Sequence, residues 1–287
     1  MDKQKIKKLI EDSGIITHKK VIDVLREQGW KLLISPYYYD NISNAVREID
    51  IIAEKQFTSV DNWSQSSVQV NVQLFVECKY IKQEIVFWFD NKDIDKAVSK
   101  MEKNSGLEIL HKRHGADITI DKFHYLINDK VAKLFSTNAN KDDVVYKAIT
   151  QCLNAQIYYD QWYDCPIHFG FHEHKEVATR ILKFPIIICD NFDNLIKVDF
   201  DEKDKKLYQT DAISDSFQVE TNYTFLDKSQ KAKTEYFLID VLKLDNINTF
   251  LEKLTEEIKA VMQSVDFKRR ISQNQKNARS AGQNDYR

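Results

Sequence analysis

From Val68 to Tyr80 the chain alternates. Val70, Val72, Leu74, Val76 and Cys78 fall on one parity, and Asn71, Gln73, Phe75, Glu77 and Lys79 fall on the other. A period of two held this long specifies an extended strand whose successive side chains point to opposite faces. It sets an aliphatic face against a core and brings Glu77 and Lys79 together on the opposite face, near the strand's end. Such a strand needs partners, and the chain supplies them. Residues 30–35 read as a strand ending at Pro36, and 45–53 as a second strand carrying Glu48 and Asp50. Residues 85–89, 195–200, 217–225 and 236–242 read as further strands. Residues 184–189, wholly apolar between Lys183 and Asp190, read as a buried central strand. Helical spacing recurs at 17–28, where Val21, Ile22, Val24 and Leu25 share a face, Thr17 caps the start and Gly29 supplies the stop. It recurs at 92–103, at 142–159 (Val145, Ala148, Ile149, Cys152, Leu153) and at 246–265. The tyrosines at 37–39 and the polar run 58–67 read as loops, and 122–127 as extended. Strands interleaved with helices place the chain in the α/β class.

At 287 residues the chain is long enough for one elaborated domain or two small ones. No apolar run approaches the ~18–20 residues that span a bilayer, and the N-terminus lacks the apolar centre of a signal peptide. Cys78, Cys152, Cys165 and Cys189 form no CxxC pair, which fits a reduced, cytoplasmic chain without membrane association. With 42 Lys+Arg against 44 Asp+Glu, the net charge of −2 excludes a protein that coats nucleic acid by bulk charge. The charge is uneven, however. Residues 266–287 carry six basic and two acidic residues without apolar periodicity, the pattern of a mobile basic tail.

The chemistry concentrates where the second and third strands end. If these strands pair, Asp50 and Glu77 converge with Lys79. Two carboxylates held close repel unless a divalent cation lies between them, and a hard cation such as Mg²⁺ prefers oxygen ligands and keeps several waters. The neighbouring ammonium can touch a phosphate oxygen or orient a water, so the set suits hydrolysis of a phosphodiester. The acid-x-Lys triplet alone carries little weight, since Asp90–Lys92, Glu173–Lys175, Asp204–Lys206, Glu257–Lys259 and Asp266–Lys268 share it. Glu77–Lys79 stands apart because it closes an alternating strand and follows a strand holding a second carboxylate. The competing reading is a solvated polar rim.

These residues, Arg47-Glu48-Ile49-Asp50 followed by Phe75-Val76-Glu77-Cys78-Lys79-Tyr80, resemble the PD-(D/E)XK nuclease superfamily. The helix ending Leu25-Arg26-Glu27-Gln28-Gly29-Trp30 resembles the opening helix of its Mrr-like members. The resemblance implies a restriction-endonuclease-like core, a central mixed sheet flanked by helices in the order α-β-β-β-α-β. That core would span 1–200, with an insertion at about 81–141, a C-terminal strand and helix extension over 201–265, and the tail. It implies a Mg²⁺-dependent endonuclease, with Mn²⁺ able to substitute, that cuts DNA to leave a 5′-phosphate. Asp50 and Glu77 would hold the metal and Lys79 would support the nucleophile. Restriction or anti-phage defence is the implied setting, with a second copy or a defence-system protein as partner. The alternative is a catalytically silent nucleic-acid-binding or assembly module on the same fold.

Three residues form a secondary set. His18 falls where many relatives carry an acidic residue, and is either a metal or phosphate contact or an ordinary helix-start residue. Glu48 either assists the metal or pairs with Arg47, and Gln151 either reaches the site from the 142–159 helix or lies on a solvated face. Cys165, His168, His172 and His174 could ligate zinc, contact nucleic acid or belong to an ordinary loop. His111, Lys112, Arg113 and His114 form a basic patch suited to phosphate or to an exposed turn.

Overall fold

The alternating segment becomes an interior strand of a ten-stranded mixed sheet. The computed structural model describes residues 2–60, 67–110, 118–137, 144–162, 177–200 and 208–284. In chain order these form α1 (Lys3–Asp12), α2 (Ile15–Glu27), β1 (Lys31–Ile34), β2 (Tyr37–Asp40), β3 (Ala45–Glu48), β4 (Ile51–Val60), β5 (Ser67–Lys79) and β6 (Ile85–Asn91). There follow α3 (Ile94–Ser105), β7 (Ile109–Leu110), β8 (Ile118–Thr119), α4 (His124–Ile127), β9 (Lys130–Thr137) and α5 (Val144–Trp162). The chain continues through β10 (Val177–Cys189), β11 (Leu195–Phe200), β12 (Tyr208–Ala212), β13 (Phe217–Leu226), β14 (Ala232–Lys243) and α6 (Ile247–Asn284).

The large sheet runs β1-β4-β5-β10-β14-β13-β9-β6-β11-β12, with β2-β3 and β7-β8 as separate two-stranded pairs. β1, β4 and β5 are mutually antiparallel, whereas β10 lies parallel to β5 along its whole length. A parallel neighbour needs a crossover, and α5 lies in that connection. Segment 201–265 supplies β14, which pairs with β10 in the middle of the sheet, and segment 81–141 supplies β6 and β9.

Both faces of β5 are covered, which explains its composition. The aliphatic parity, Val68 to Val76, packs with Val21 and Leu25 of α2, Met101 of α3 and Leu254, Ile258 and Val261 of α6. The other parity meets α5. Phe75 lies fully buried with Ile49, Ile52, Tyr38, Ala155 and Tyr159, while Val145, Ile149, Cys152 and Leu153 cover Ile187 and Cys189. Burying side chains of this size stabilises by about 1.5–3 kcal/mol each. Phe75 is therefore no exception to the alternation but the contact point of the second helical layer. Among the described residues, no helix is long and apolar enough to cross a membrane.

The structure corrects several sequence expectations. The strand expected over 45–53 is broken. β3 forms a hairpin with β2, in which Tyr37, Tyr38 and Tyr39 are strand rather than loop, and the chain bends at Asp50 before β4 begins. Thr17 is buried inside α2, which starts after Gly14 in a left-handed conformation (φ 73°). Most of 122–127 is not extended: a 3-10 turn over Ile120–Lys122 and α4 (His124–Ile127) flank an extended Phe123, and Glu257 of α6 accepts the backbone N–H of His124 (3.0 Å) at the start of α4. α6 continues as helix to Asn284 where a tail without regular structure was expected. The 163–176 segment with its Cys/His cluster and the 111–115 basic patch lie outside the described residues.

Candidate active site

The β4–β5 ladder sets Ile51 opposite Val76, so one further step brings Asp50 opposite Glu77. Residues directly opposite in an antiparallel pair share a face, with Cβ atoms about 4.5–5.5 Å apart. The two are laced together. The backbone N–H of Asp50 donates to Glu77 Oε1 (3.3 Å), and that of Cys78 donates to Asp50 Oδ2 (2.7 Å). Lys79, two residues beyond Glu77 on the same face, donates from Nζ to Glu77 Oε2 (2.5 Å). The structure thus brings Asp50, Glu77 and Lys79 into one hydrogen-bonded cluster.

The bend that presents Asp50 is fixed from several sides. Its carbonyl accepts from the backbone N–H of Ser35 (2.8 Å) at the end of β1 and from His18 Nε2 of α2 (3.2 Å). A carbonyl can only accept, so His18 carries its proton on Nε2. The preceding peptide is held too, since Ile49 N–H donates to Pro36 O (3.2 Å) and Gln151 Nε2 of α5 donates to Glu48 O (3.0 Å). Ser35 sits at φ 51°, left-handed without being glycine. Such a conformation persists where the surroundings enforce it, and here the bonds on either side do so. His18 and Gln151 therefore touch the backbone that carries Asp50. Glu48 lies half-buried in β3 opposite Tyr37, separated from Asp50 by the buried Ile49.

Burial sets the electrostatics. Glu77 is fully buried, and this desolvation pushes its carboxyl up to about 7; Lys79 pulls against the shift and Asp50 adds to it. Burial disfavours the Lys79 ammonium, but Glu77 and Asp50 outweigh it and its pKa rises, so Lys79 is a cation at neutral pH. A buried acid with a raised pKa, a second acid beside it and a fixed ammonium make the pattern expected where chemistry is done.

Sequence reasoning missed Tyr38. It is buried in β2, and its hydroxyl is pushed upward by desolvation, then by Asp40 and Glu77. The signal was the parity of Tyr37-Tyr38-Tyr39-Asp40, in which Tyr38 and Asp40 are buried and the other two exposed. Comparison of the chain with family models, with curated proteins and with solved structures finds no significant match.

Proposed function

We propose that the protein is a divalent-metal-dependent nuclease of the PD-(D/E)XK type that hydrolyses phosphodiester bonds in DNA. The observation that carries the reading is the junction of Asp50, just before β4, with the end of β5, where Asp50 N–H donates to Glu77, Cys78 N–H donates to the Asp50 carboxylate and Lys79 is bonded to Glu77. Folding alone does not call for two acids and an ammonium at a buried strand end, where each is costly to desolvate. The succession α2, β1, β4, β5, α5, β10, with the four strands adjacent in that order, agrees with the core that the resemblance implies.

The donor set fits a hard cation. Cys78 N–H occupies one oxygen of Asp50 and leaves the other without a donor among the described residues. Glu77, pushed toward its neutral form by burial and by Asp50, is a carboxyl whose ionised form a divalent cation would stabilise. Among the described residues no group of three His, Cys, Asp or Glu side chains is arranged to hold a metal. A cation here would rest on Asp50 and Glu77 with water completing its shell, a common mode for Mg²⁺. Bound there, it supplies charge withdrawal from the phosphate and a lowered pKa for water.

The chain's own residues do the rest. Lys79, held as an ammonium by Glu77, donates to a non-bridging phosphate oxygen and stabilises the charge that builds as water attacks phosphorus. The bond from phosphorus to the 3′ oxygen breaks, the attacking water gives up a proton and the departing oxygen takes one. The products are a 5′-phosphate and a 3′-hydroxyl. His18 and Gln151 act as positioning residues by fixing the Asp50 bend.

The test incubates the purified chain with supercoiled and linear DNA in Mg²⁺ or Mn²⁺, beside Asp50→Ala and Lys79→Ala. Metal-dependent cleavage that both substitutions abolish is the expected result. Cleavage that survives in both variants, or none under any condition, sinks the assignment.

A further inference from the structure

The β2–β3 hairpin stands apart from the large sheet, and its two faces differ. The inner parity, Tyr38 and Asp40, is buried. Tyr38 lies against α5, its ring 6.4 Å from that of Tyr158. Asp40 ties the turn, accepting from the backbone N–H of Ile42 (2.9 Å) and the hydroxyl of Ser43 (2.7 Å). The outer parity is apolar yet open to solvent. Tyr37 is 67% exposed, Tyr39 is 41% exposed, and Val46, the cross-strand partner of Tyr39, is 66% exposed. A lone two-stranded hairpin is marginal in water, but the anchored inner face holds these rings in a fixed register. The Tyr39 hydroxyl, bonded to the Asn44 side chain, fixes the second ring further.

The hairpin also leads straight into the candidate active site. Glu48, the cross-strand partner of Tyr37, is two residues from Asp50, and Gln151 holds its carbonyl. At ~3.3 Å per residue the ribbon starts within about 7 Å of Asp50 along the chain, and Tyr39 follows Tyr37 at the same interval.

Size and charge narrow what this face can take. A stable protein interface uses about 20–30 residues a side, whereas the apolar surface here is Tyr37, Tyr39, Val46 and, at the turn, the exposed Ile42. That is too small for a second copy of the chain. Phosphate is not the match either, because the charged residue on this parity is the acid Glu48, while Arg47 lies on the other. What remains are ring faces, which suit flat groups of similar size. Bases inside a duplex already stack on their neighbours; an unpaired base has a face to give, and aromatic side chains take it with little regard to sequence.

We propose that Tyr37 and Tyr39 stack on unpaired bases next to the scissile phosphate, so that the substrate is DNA that is single-stranded beside the cut. The proposal rests on the nuclease reading, since it names the substrate class of the same site.

Fluorescence anisotropy of the full chain without metal, with a labelled single-stranded 15-mer and the duplex of the same sequence, tests it. Wild type should bind the single strand more tightly than the duplex. Tyr37→Ala/Tyr39→Ala should weaken single-strand binding about tenfold or more and leave duplex binding unchanged. Tyr37→Phe/Tyr39→Phe keeps both rings and should bind as wild type does. Tyr37→Ala alone, at the more exposed position, reads a smaller loss of about fivefold if the double variant does not fold. A single strand bound no tighter than duplex, affinities unmoved by the alanine variants, or a phenylalanine variant as weak as the alanine one would each overturn the proposal. So would a wild-type dimer in sedimentation that the alanine variant turns into a monomer. Binding is read without cleavage, so the two readings fail separately. A chain that binds unpaired bases through these tyrosines but cuts no DNA refutes the nuclease reading and leaves the stacking face standing. One that cuts DNA equally well with and without the two rings refutes the stacking alone.

Discussion

Replacing His124 by leucine should destabilise the protein in a pH-dependent way, with a sign that can be worked out in advance. His124 opens α4 and is gripped on both ring nitrogens. Nδ1 lies 2.5 Å from Glu257 of α6 and Nε2 lies 3.1 Å from Asp240 of β14. Gln218 of β13 bridges onward, donating to Asp240 (3.2 Å) and accepting from Lys92 Nζ (2.9 Å), which also donates to Tyr125 O (2.6 Å). The network ties three strands or helices of the sheet's α6 side to one imidazolium. Glu220 faces Lys92 and is paired with Lys133. Burial opposes the charged ring, but Glu257 and Asp240 outweigh it and raise the His124 pKa from 6.5 to about 10. Removing the cation leaves two buried carboxylates facing each other, which costs about 3–5 kcal/mol.

The pH dependence follows from linkage. His124 is raised on folding, so its contribution is complete below pH 6.5 and is lost as pH rises toward 10. The slope is about 1.4 kcal/mol per pH unit. Lys92 works in reverse. Burial, partly offset by Asp240 and Glu220, lowers it from 10.5 to about 8, so between these values the unfolded chain binds the extra proton and stability gains at a similar slope. The two cancel above pH 8. Wild type should therefore lose about 2 kcal/mol from this network between pH 6.5 and 8 and little more up to pH 10. Urea denaturation followed by circular dichroism across this range, wild type beside His124→Leu, measures the difference and removes contributions the two share. A variant that costs under about 1 kcal/mol, or that declines in parallel with wild type between pH 6.5 and 8, would refute the reasoning.

Two further outcomes concern the candidate active site. Glu77→Gln removes a buried carboxyl whose folded pKa stands near 7, a shift whose unfavourable effect on stability grows as pH rises from 4.5 to 7. Over that range wild type should lose stability relative to the variant by up to about 1.4 kcal/mol per pH unit, and Mg²⁺ should raise the melting temperature of wild type only; a difference that does not change with pH, or a Mg²⁺-responsive variant, would contradict this. Gln151→Ala frees the peptide before Ile49, and Mn²⁺ affinity measured by calorimetry should fall about tenfold, as for loss of a residue that orients a metal ligand.

How much of this was legible in the sequence depended on whether the signal was local. The alternation through β5 put Glu77 and Lys79 on one face because period two is written in the residues themselves. The ladder that sets Asp50 opposite Glu77 followed from recognising a second strand with a carboxylate. The break between Glu48 and Asp50 was not legible, since Ile49-Asp50-Ile51 reads as continuous strand. Bonds from distant residues impose the bend, Ser35 and His18 on one side and Gln151 on the other. His18 likewise looked like a candidate ligand, but only the fold reveals that it donates to a carbonyl. The His124 network escaped notice for the same reason. Its members come from α4, β13, β14, α6 and the stretch before α3, and each alone looks like an ordinary polar residue. The continuation of α6 past residue 265 was hidden because those residues lack the apolar periodicity from which helices are read.

The measurement that bears most directly on Asp50 and Glu77 as a metal site is a calorimetric Mn²⁺ titration of wild type, Asp50→Ala and Lys79→Ala. Wild type should bind Mn²⁺ at a site that Asp50→Ala loses. Lys79→Ala should bind at least as tightly as wild type, because a neighbouring positive charge has been removed while both carboxylates remain. Equal binding by wild type and Asp50→Ala, or loss of binding in Lys79→Ala alone, would contradict a metal held between the two acids.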